Sequence, residues 1–231
     1  LSVSARDFMI DWGDGVCDKN MIHTYTRKGE YVIRICGECI NELRVPKCCL
    51  ENIDVSFCKW LEHLDCSFNW IKELDISGLS YLVSLDCSHN ALNNLKIGNQ
   101  EFLLYLDSSD NMLSVLDVSL CPSLTYLYTQ HNALRSLKIS PAISVLDIGD
   151  NQLSPEDMAD LKKRSGIRYI LDWVSGLFYP CWGALDFPIK KSARLSLCFL
   201  SVCLPVFIQI FRIIPRKTQK KFSKPICLKF K

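Results

Sequence analysis

Between residues 40 and 153 one pattern returns every 21 residues, and it constrains the fold more tightly than any other feature of the chain. Asn69, Asn90, Asn111 and Asn132 lie 21 residues apart, and Asn151 follows after 19. Counted from the first apolar residue of each unit, position 1 is Ile40, Leu61, Leu82, Leu103, Leu124 and Ile143. Position 4 is Leu43, Leu64, Leu85, Leu106, Leu127 and Leu146, and position 11 is Leu50, Ile71, Leu92, Leu113, Leu134 and Leu153. Further columns at positions 14 and 16 begin with Ile53 and Val55 and end with Leu137 and Ile139. A unit this short cannot bury its own apolar side. Units must therefore stack, each lending a strand to a parallel sheet spaced at about 4.8 Å. The spacing predicts a β-rich solenoid over 37–153 with about six units.

Strand alternation then sorts the side chains of each unit. Positions 1, 4 and 6 face inward, so Cys66 and Cys87 at position 6 read as small buried hydrophobes. Positions 3, 5 and 7 face the open, concave side of the sheet. There they line up His63, Asp65 and Ser67; Ser84, Asp86 and Ser88; Tyr105, Asp107 and Ser109; Tyr126, Tyr128 and Gln130; and Val145, Asp147 and Gly149. The stretch 61-LEHLDCSFN-69 places His63, Asp65 and Cys66 together like the parts of a thiol catalyst. A strand sends the thiol to the opposite face from its would-be base, which removes that reading. Position 9 is Asn because a side-chain amide can bond backbone groups where the chain turns out of the strand.

These columns resemble the leucine-rich-repeat family, whose pattern is LxxLxLxxN/CxL. Cys48, which stands at position 9 of the first unit, is the alternative that pattern allows. More narrowly, the LDCSxNxLxxLDVS wording resembles the short repeats of Bacteroidetes surface proteins. Ahead of the repeats, Trp12-Gly13-Asp14-Gly15, then His23 and Tyr25, then Gly29, Tyr31 and Ile33, are similar to the polycystic-kidney-disease (PKD) type β-sandwich. Only about half of such a sandwich is present. The resemblance implies structural roles for these residues, with Asp14 and the glycines shaping a turn and His23 and Tyr25 packing. It also implies a chain that is a fragment of a longer, exported polypeptide.

The domain reading is a partial PKD-like β module as N-terminal cap (1–36), the solenoid (37–153), a capping helix (154–170) and a tail (171–231). The helix signal is 154-SPEDMADLKKR-164, with Ser154 as N-cap, Pro155 at the first helical position and Glu156 and Asp157 in the first turn. Eleven Lys or Arg and no acid fall in residues 187–231, leaving 16 basic against 25 acidic side chains, a net of −9, in residues 1–186. An acidic body argues against a nucleic-acid partner. The apolar run 195–214 is about the length of a membrane span, and the basic residues after it would place the C-terminus in the cytoplasm. Pro205 and Arg212 interrupt that run, and a read-through tail or a buried element are the other readings of it.

Cys36, Cys39, Cys48 and Cys49 could be taken for a four-thiolate zinc site, but adjacent Cys48 and Cys49 make poor ligand geometry. Cys49 and Cys58 fall on turns and could pair in an oxidising compartment. The four histidines form no cluster, and no cofactor motif is present. The column Asp65–Asp86–Asp107 reads either as a cation or basic-ligand site or as solvated strand residues. The candidate binding set on the concave face is His63, Asp65, Asp86, Tyr105, Asp107, Tyr126, Tyr128 and Asp147, with the three tyrosines expected to be exposed. Cys48, Asn69, Asn90, Asn111, Asn132 and Asn151 form the structural ladder. The expectation is a non-enzymatic module that binds a protein or glycan at a bacterial cell surface, held to the membrane through 195–214 if that run is a span. The alternative is a structural spacer.

Overall fold

The computed structural model describes residues 1–164, 166–167, 169–171, 173–174, 177–178 and 226–230. All of them fall in one compact unit, Leu1–Cys181 with Lys221–Lys231. The expected membrane run 195–214 lies outside the described residues. Among those described, no helix is long and apolar enough to cross a membrane.

The chain opens with β1 (Ser2–Ser4), β2 (Asp7–Asp11), β3 (Cys17–Asp18) and β4 (Tyr31–Glu38). Short strands follow in alternation on two sides of the coil: β5 (Glu42–Arg44), β6 (Leu50–Asp54), β7 (His63–Asp65), β8 (Glu73–Asp75), β9 (Ser84–Asp86) and β10 (Asn94–Lys96). They continue with β11 (Tyr105–Asp107), β12 (Val115–Asp117), β13 (Tyr126–Tyr128), β14 (Ser136–Lys138) and β15 (Val145–Asp147). Then come α1 (Pro155–Lys163), β16 (Tyr169–Leu171), β17 (Trp173–Val174), β18 (Leu177–Phe178) and β19 (Ile226–Phe230).

β1, the odd-numbered strands from β5 to β15, and β16 build one eight-stranded sheet in the order β1-β5-β7-β9-β11-β13-β15-β16. From β5 onward every pairing is parallel and in register, so Leu43, Leu64, Leu85, Leu106, Leu127 and Leu146 form a single buried row. The expected columns are the core: positions 1, 4, 6 and 11 are almost wholly buried, with Cys66 and Cys87 among them. On the far side the coils pair as β8 with β10 and β12 with β14. Lys96 meets Asp75 at 3.4 Å and Lys138 meets Asp117 at 3.2 Å across those pairs.

The Asn ladder explains why position 9 is fixed. The Asn111 amide donates to the carbonyls of Cys87, Ser108 and Ser109 at 3.0–3.1 Å, and its oxygen accepts from Leu92 N–H at 2.9 Å. Asn69, Asn90, Asn132 and Asn151 repeat this arrangement, each tying two neighbouring coils. Cys48 imitates it in the first coil, where its Sγ lies 3.4 Å from the carbonyl of Pro46, as an Asn amide would.

The residue before each ladder position was not expected to be unusual, yet it adopts a left-handed backbone in every coil. Lys47, Phe68, His89, Asp110, His131 and Asp150 all have φ between 50° and 56°. That conformation turns position 8 so that its N–H still reaches the next coil, as Phe68 N–H reaches the carbonyl of Ser88. Bulky side chains pay strain there. Changing His89 to Val is expected to cost about 1–2 kcal/mol, and changing it to Gly to be neutral or mildly stabilising. Urea denaturation of both variants would check it, and a stabilising His89→Val would contradict the assignment.

Three further features depart from the sequence reading. Cys58, expected on a turn and as a possible partner for Cys49, does lie between turn residues but is buried in a column with Leu79, Gln100 and Cys121, and neither Cys49 nor Cys58 is in a disulfide. Gln100 replaces a turn donor: in the neighbouring coils a backbone N–H bonds the position-16 carbonyl, whereas here the Gln100 amide donates to Ile97 at 2.8 Å. Gly98 before it has φ of 73° and no room for a Cβ, which would lie 2.9 Å from Ser77 Cβ. Lastly, α1 does not end the solenoid. Ser154 caps it as expected, accepting from Asp157 N–H at 3.1 Å, and the chain then returns to add β16 in register beside β15.

At the N-terminal end β1 pairs antiparallel with β5. A second, five-stranded sheet has the order β3-β2-β4-β19-β6, so β19, from the far end of the chain, lies between β4 and β6. Within this sheet the turn at 12–16 is shaped by Asp14 and its glycines: Val16 N–H donates to Asp14 at 3.2 Å, and Gly13 and Gly15 have φ of 79° and 96°.

Candidate interaction face

Two rows of side chains cover the concave sheet, each set by strand register. One row reads Glu42, His63, Ser84, Tyr105, Tyr126 and Val145. The other reads Arg44, Asp65, Asp86, Asp107, Tyr128 and Asp147. Arg44 heads the acidic row and is paired with Glu42 at 2.6 Å. The expected concave residues therefore do share one face. His63, Asp65, Asp86, Tyr105, Asp107 and Tyr126 are half-buried on it.

Tyr128 and Asp147 are deeper than expected, at 7% and 3% exposure. Strand alternation fixes the direction a side chain takes and not what lies over it. The Tyr105 ring stands 5.7 Å from that of Tyr128, and rungs about 4.8 Å apart leave large neighbours no room to stay fully wet. Tyr105 and Tyr126, expected to be exposed, are only half-buried, and they are the part of the aromatic set that remains accessible on this face.

Each carboxylate of the row is first a structural group. Ser67 donates to Asp65 from both its N–H (3.1 Å) and its hydroxyl (2.7 Å). Ser88 does the same to Asp86, and Ser109 to Asp107. These bonds close the turn that follows each strand. They occupy Oδ1 of each carboxylate, while Tyr105 Oη approaches Asp107 Oδ2 at 3.4 Å. Burial, aided by the Asp86 charge, pushes the Asp107 carboxyl up to about 7 against the pull of the Ser109 bonds. Asp86 is raised for the same first reason, and burial lowers His63.

Thiol chemistry is not built into this face. Burial pushes Cys66 and Cys87 well above the ordinary thiol range and Cys58 to about 12. Native-state alkylation with iodoacetamide is expected to modify exposed Cys17 and Cys49 and to spare Cys58, Cys66, Cys87 and Cys121. Peptide mass spectrometry reads the pattern, and labelling of Cys66 in the folded chain would refute its core position. Among the described residues no three His, Cys, Asp or Glu side chains are grouped to hold a metal ion.

Sequence reading missed two stacks that run along the rims of this face. Trp60, Tyr81 and Phe102, one per coil, stack with ring centroids 4.9 and 6.1 Å apart. On the other rim Lys47 lies 4.8 Å from the Phe68 ring, and Phe68 stacks on His89 at 4.1 Å. The first was legible as an aromatic column at 21-residue spacing, and the second, which mixes Lys, Phe and His, was not.

No protein-family model matches the chain, and no curated protein matches it. Among solved structures, a leucine-rich-repeat protein of Leptospira interrogans is 22% identical, with 50% of this chain and 32% of that one covered and a TM-score of 0.42. The functional domain of InlJ from Listeria monocytogenes, which includes a cysteine ladder, is 19% identical over 58% of this chain and 44% of that one, with a TM-score of 0.27. This chain spans less than half the length of either. Its own in-register leucine rows, Asn ladder and parallel concave sheet make it a leucine-rich-repeat solenoid.

Proposed function

We propose that the chain is a non-enzymatic interaction module that presents its concave sheet to a protein or glycan ligand, as part of an exported bacterial surface protein. One observation carries the reading: Tyr105 and Tyr126 are register partners on adjacent strands, beside the carboxylates of Asp86 and Asp107. Aromatic anchors ringed by polar groups suit a recognition surface. The surface location follows from the resemblance of the repeats and of the N-terminal hairpins to modules of such proteins.

A specific observation favours the spacer alternative. The same Asp–Ser bonding recurs on the far side of the coil, at Asp75–Ser77 and Asp117–Ser119, where it closes turns and the other carboxylate oxygen meets Lys96 or Lys138. The acids alone therefore do not distinguish the readings, and the tyrosines do. Changing Tyr105 and Tyr126 together to Ser is expected to weaken ligand capture at least tenfold in a cell-surface adhesion or glycan-array assay, with the unfolding midpoint little changed. Undiminished capture by the folded double variant would leave the spacer reading standing.

A further inference from the structure

We propose that a cavity at the N-terminal end of the molecule, away from the concave face, binds a small amphipathic anion: a planar ring system bearing a carboxylate or sulfonate. The cavity holds about 890 Å³, within the range of small-molecule sites. It lies among the 21–31 segment, the start of β4 and the turn at Cys48–Cys49.

Its walls are aromatic and aliphatic. Trp12, Tyr25, Tyr31 and Ile33 line it, with His23 bridging the rings. Trp12 stacks on His23 at 4.8 Å, His23 meets Tyr25 edge-on at 4.7 Å, and Tyr25 stacks on Tyr31 at 3.9 Å. The cluster is held rigid from outside: His23 Nε2 lies 2.8 Å from Asp14 Oδ2, and Trp12 Nε1–H donates to Asp18 at 3.0 Å. Ile22 at the lip is 85% exposed, an unusual setting for a large aliphatic side chain.

The polar groups decide what such a cavity takes. Both tyrosine hydroxyl protons are already spent on backbone, Tyr25 on the carbonyl of Trp12 at 2.9 Å and Tyr31 on that of Arg27 at 2.8 Å. Two cations, Arg27 and Lys28, and one acid, Glu30, also line the cavity, and among the described residues neither cation is in an ion pair. The Tyr31 bond to the Arg27 carbonyl fixes the loop that carries these two cations at the edge of the aromatic wall. A planar hydrophobe with one negative group satisfies the wall and the two charges together.

The test is isothermal titration calorimetry of the full chain with naphthalene-2-sulfonate, beside the uncharged 2-naphthylmethanol. One saturable site is expected for the sulfonate, with the neutral ring at least roughly tenfold weaker. The exposed double variant R27A/K28A is expected to bind the sulfonate roughly tenfold more weakly, with R27K/K28R keeping most of the affinity. Circular dichroism confirms the fold of each variant. Equal binding of the neutral ring, no saturable site in the unchanged chain, or full affinity in folded R27A/K28A would each overturn the proposal. The Tyr105 and Tyr126 double variant should bind the probe unchanged, which keeps this test separate from that of the concave face.

Discussion

Replacing Asn111 with Ala is expected to destabilise the solenoid by about 3–5 kcal/mol. Asn111 is almost fully buried and serves four backbone groups in two coils. Its loss leaves Leu92 N–H with no acceptor and three carbonyls without their shared donor. Unsatisfied buried groups cost roughly 1–3 kcal/mol each, and partial relaxation brings the sum down. For a chain of this size the melting temperature should fall by roughly 10 °C. Asn111→Asp should be at least as damaging at neutral pH. It keeps an acceptor for Leu92 and turns an anion toward the three carbonyl oxygens. Asn132→Ala should cost less, because Asn132 is half-buried and water can reach the vacated groups. Urea titrations of the three variants measure this series. A loss below 1 kcal/mol for Asn111→Ala would show that the ladder follows the fold without stabilising it.

The second large effect is a pH dependence centred on Asp107. Its carboxyl titrates near 7 in the folded chain and near the ordinary value of 3.8 once unfolded. Below both values the group is protonated in either state and contributes nothing. As pH rises from about 4, the unfolded chain loses the proton first and is favoured, so stability falls until about pH 7 and then levels off. The full displacement corresponds to about 4 kcal/mol, an upper bound, because water around a half-buried side chain screens part of it. Asp107→Asn preserves the acceptor for both Ser109 donors and removes the charge. It is expected to stabilise the chain by about 2–4 kcal/mol at pH 8 and to change little at pH 4. Thermal melts at the two pH values decide it. An equal effect at both would assign the gain to packing.

Much of this architecture is legible in the sequence, because burial in a solenoid is a one-dimensional code. Leu64, Leu85 and Leu106 recur at a fixed interval, and nothing except stacking explains that interval. The Asn column is equally legible, since an amide that both donates and accepts is what a repeated turn between coils requires. The left-handed residues are not legible. Lys47, Phe68, His89 and Asp110 share no chemistry, and their strain is offset by the Asn that follows. The strand at Tyr169–Leu171 hides behind an irregular interval of 24 residues from Ile143 to Ile167, although Ile167 and Ile170 keep the spacing of positions 1 and 4. On the concave face, direction was readable and depth was not. Tyr128 points as expected and is still covered by its neighbours. The Trp60, Tyr81 and Phe102 stack shows that a column can be overlooked when its position lies outside the apolar consensus.

The place of β19 has a consequence in time. Each coil of the solenoid can dock on the one before it as soon as its residues are synthesised, with every new contact about 21 residues from the last. The sheet at the N-terminal end cannot be finished in that way. The strand between β4 and β6 comes from residues 226–230, so two neighbours made early must wait, edges open, for the last strand to arrive. The coils can therefore stack before the sheet that holds β4 and β6 is sealed. A long-range closure of this kind is slow compared with the local stacking that precedes it. During that interval the β4 and β6 edges are the places where a stray strand could pair.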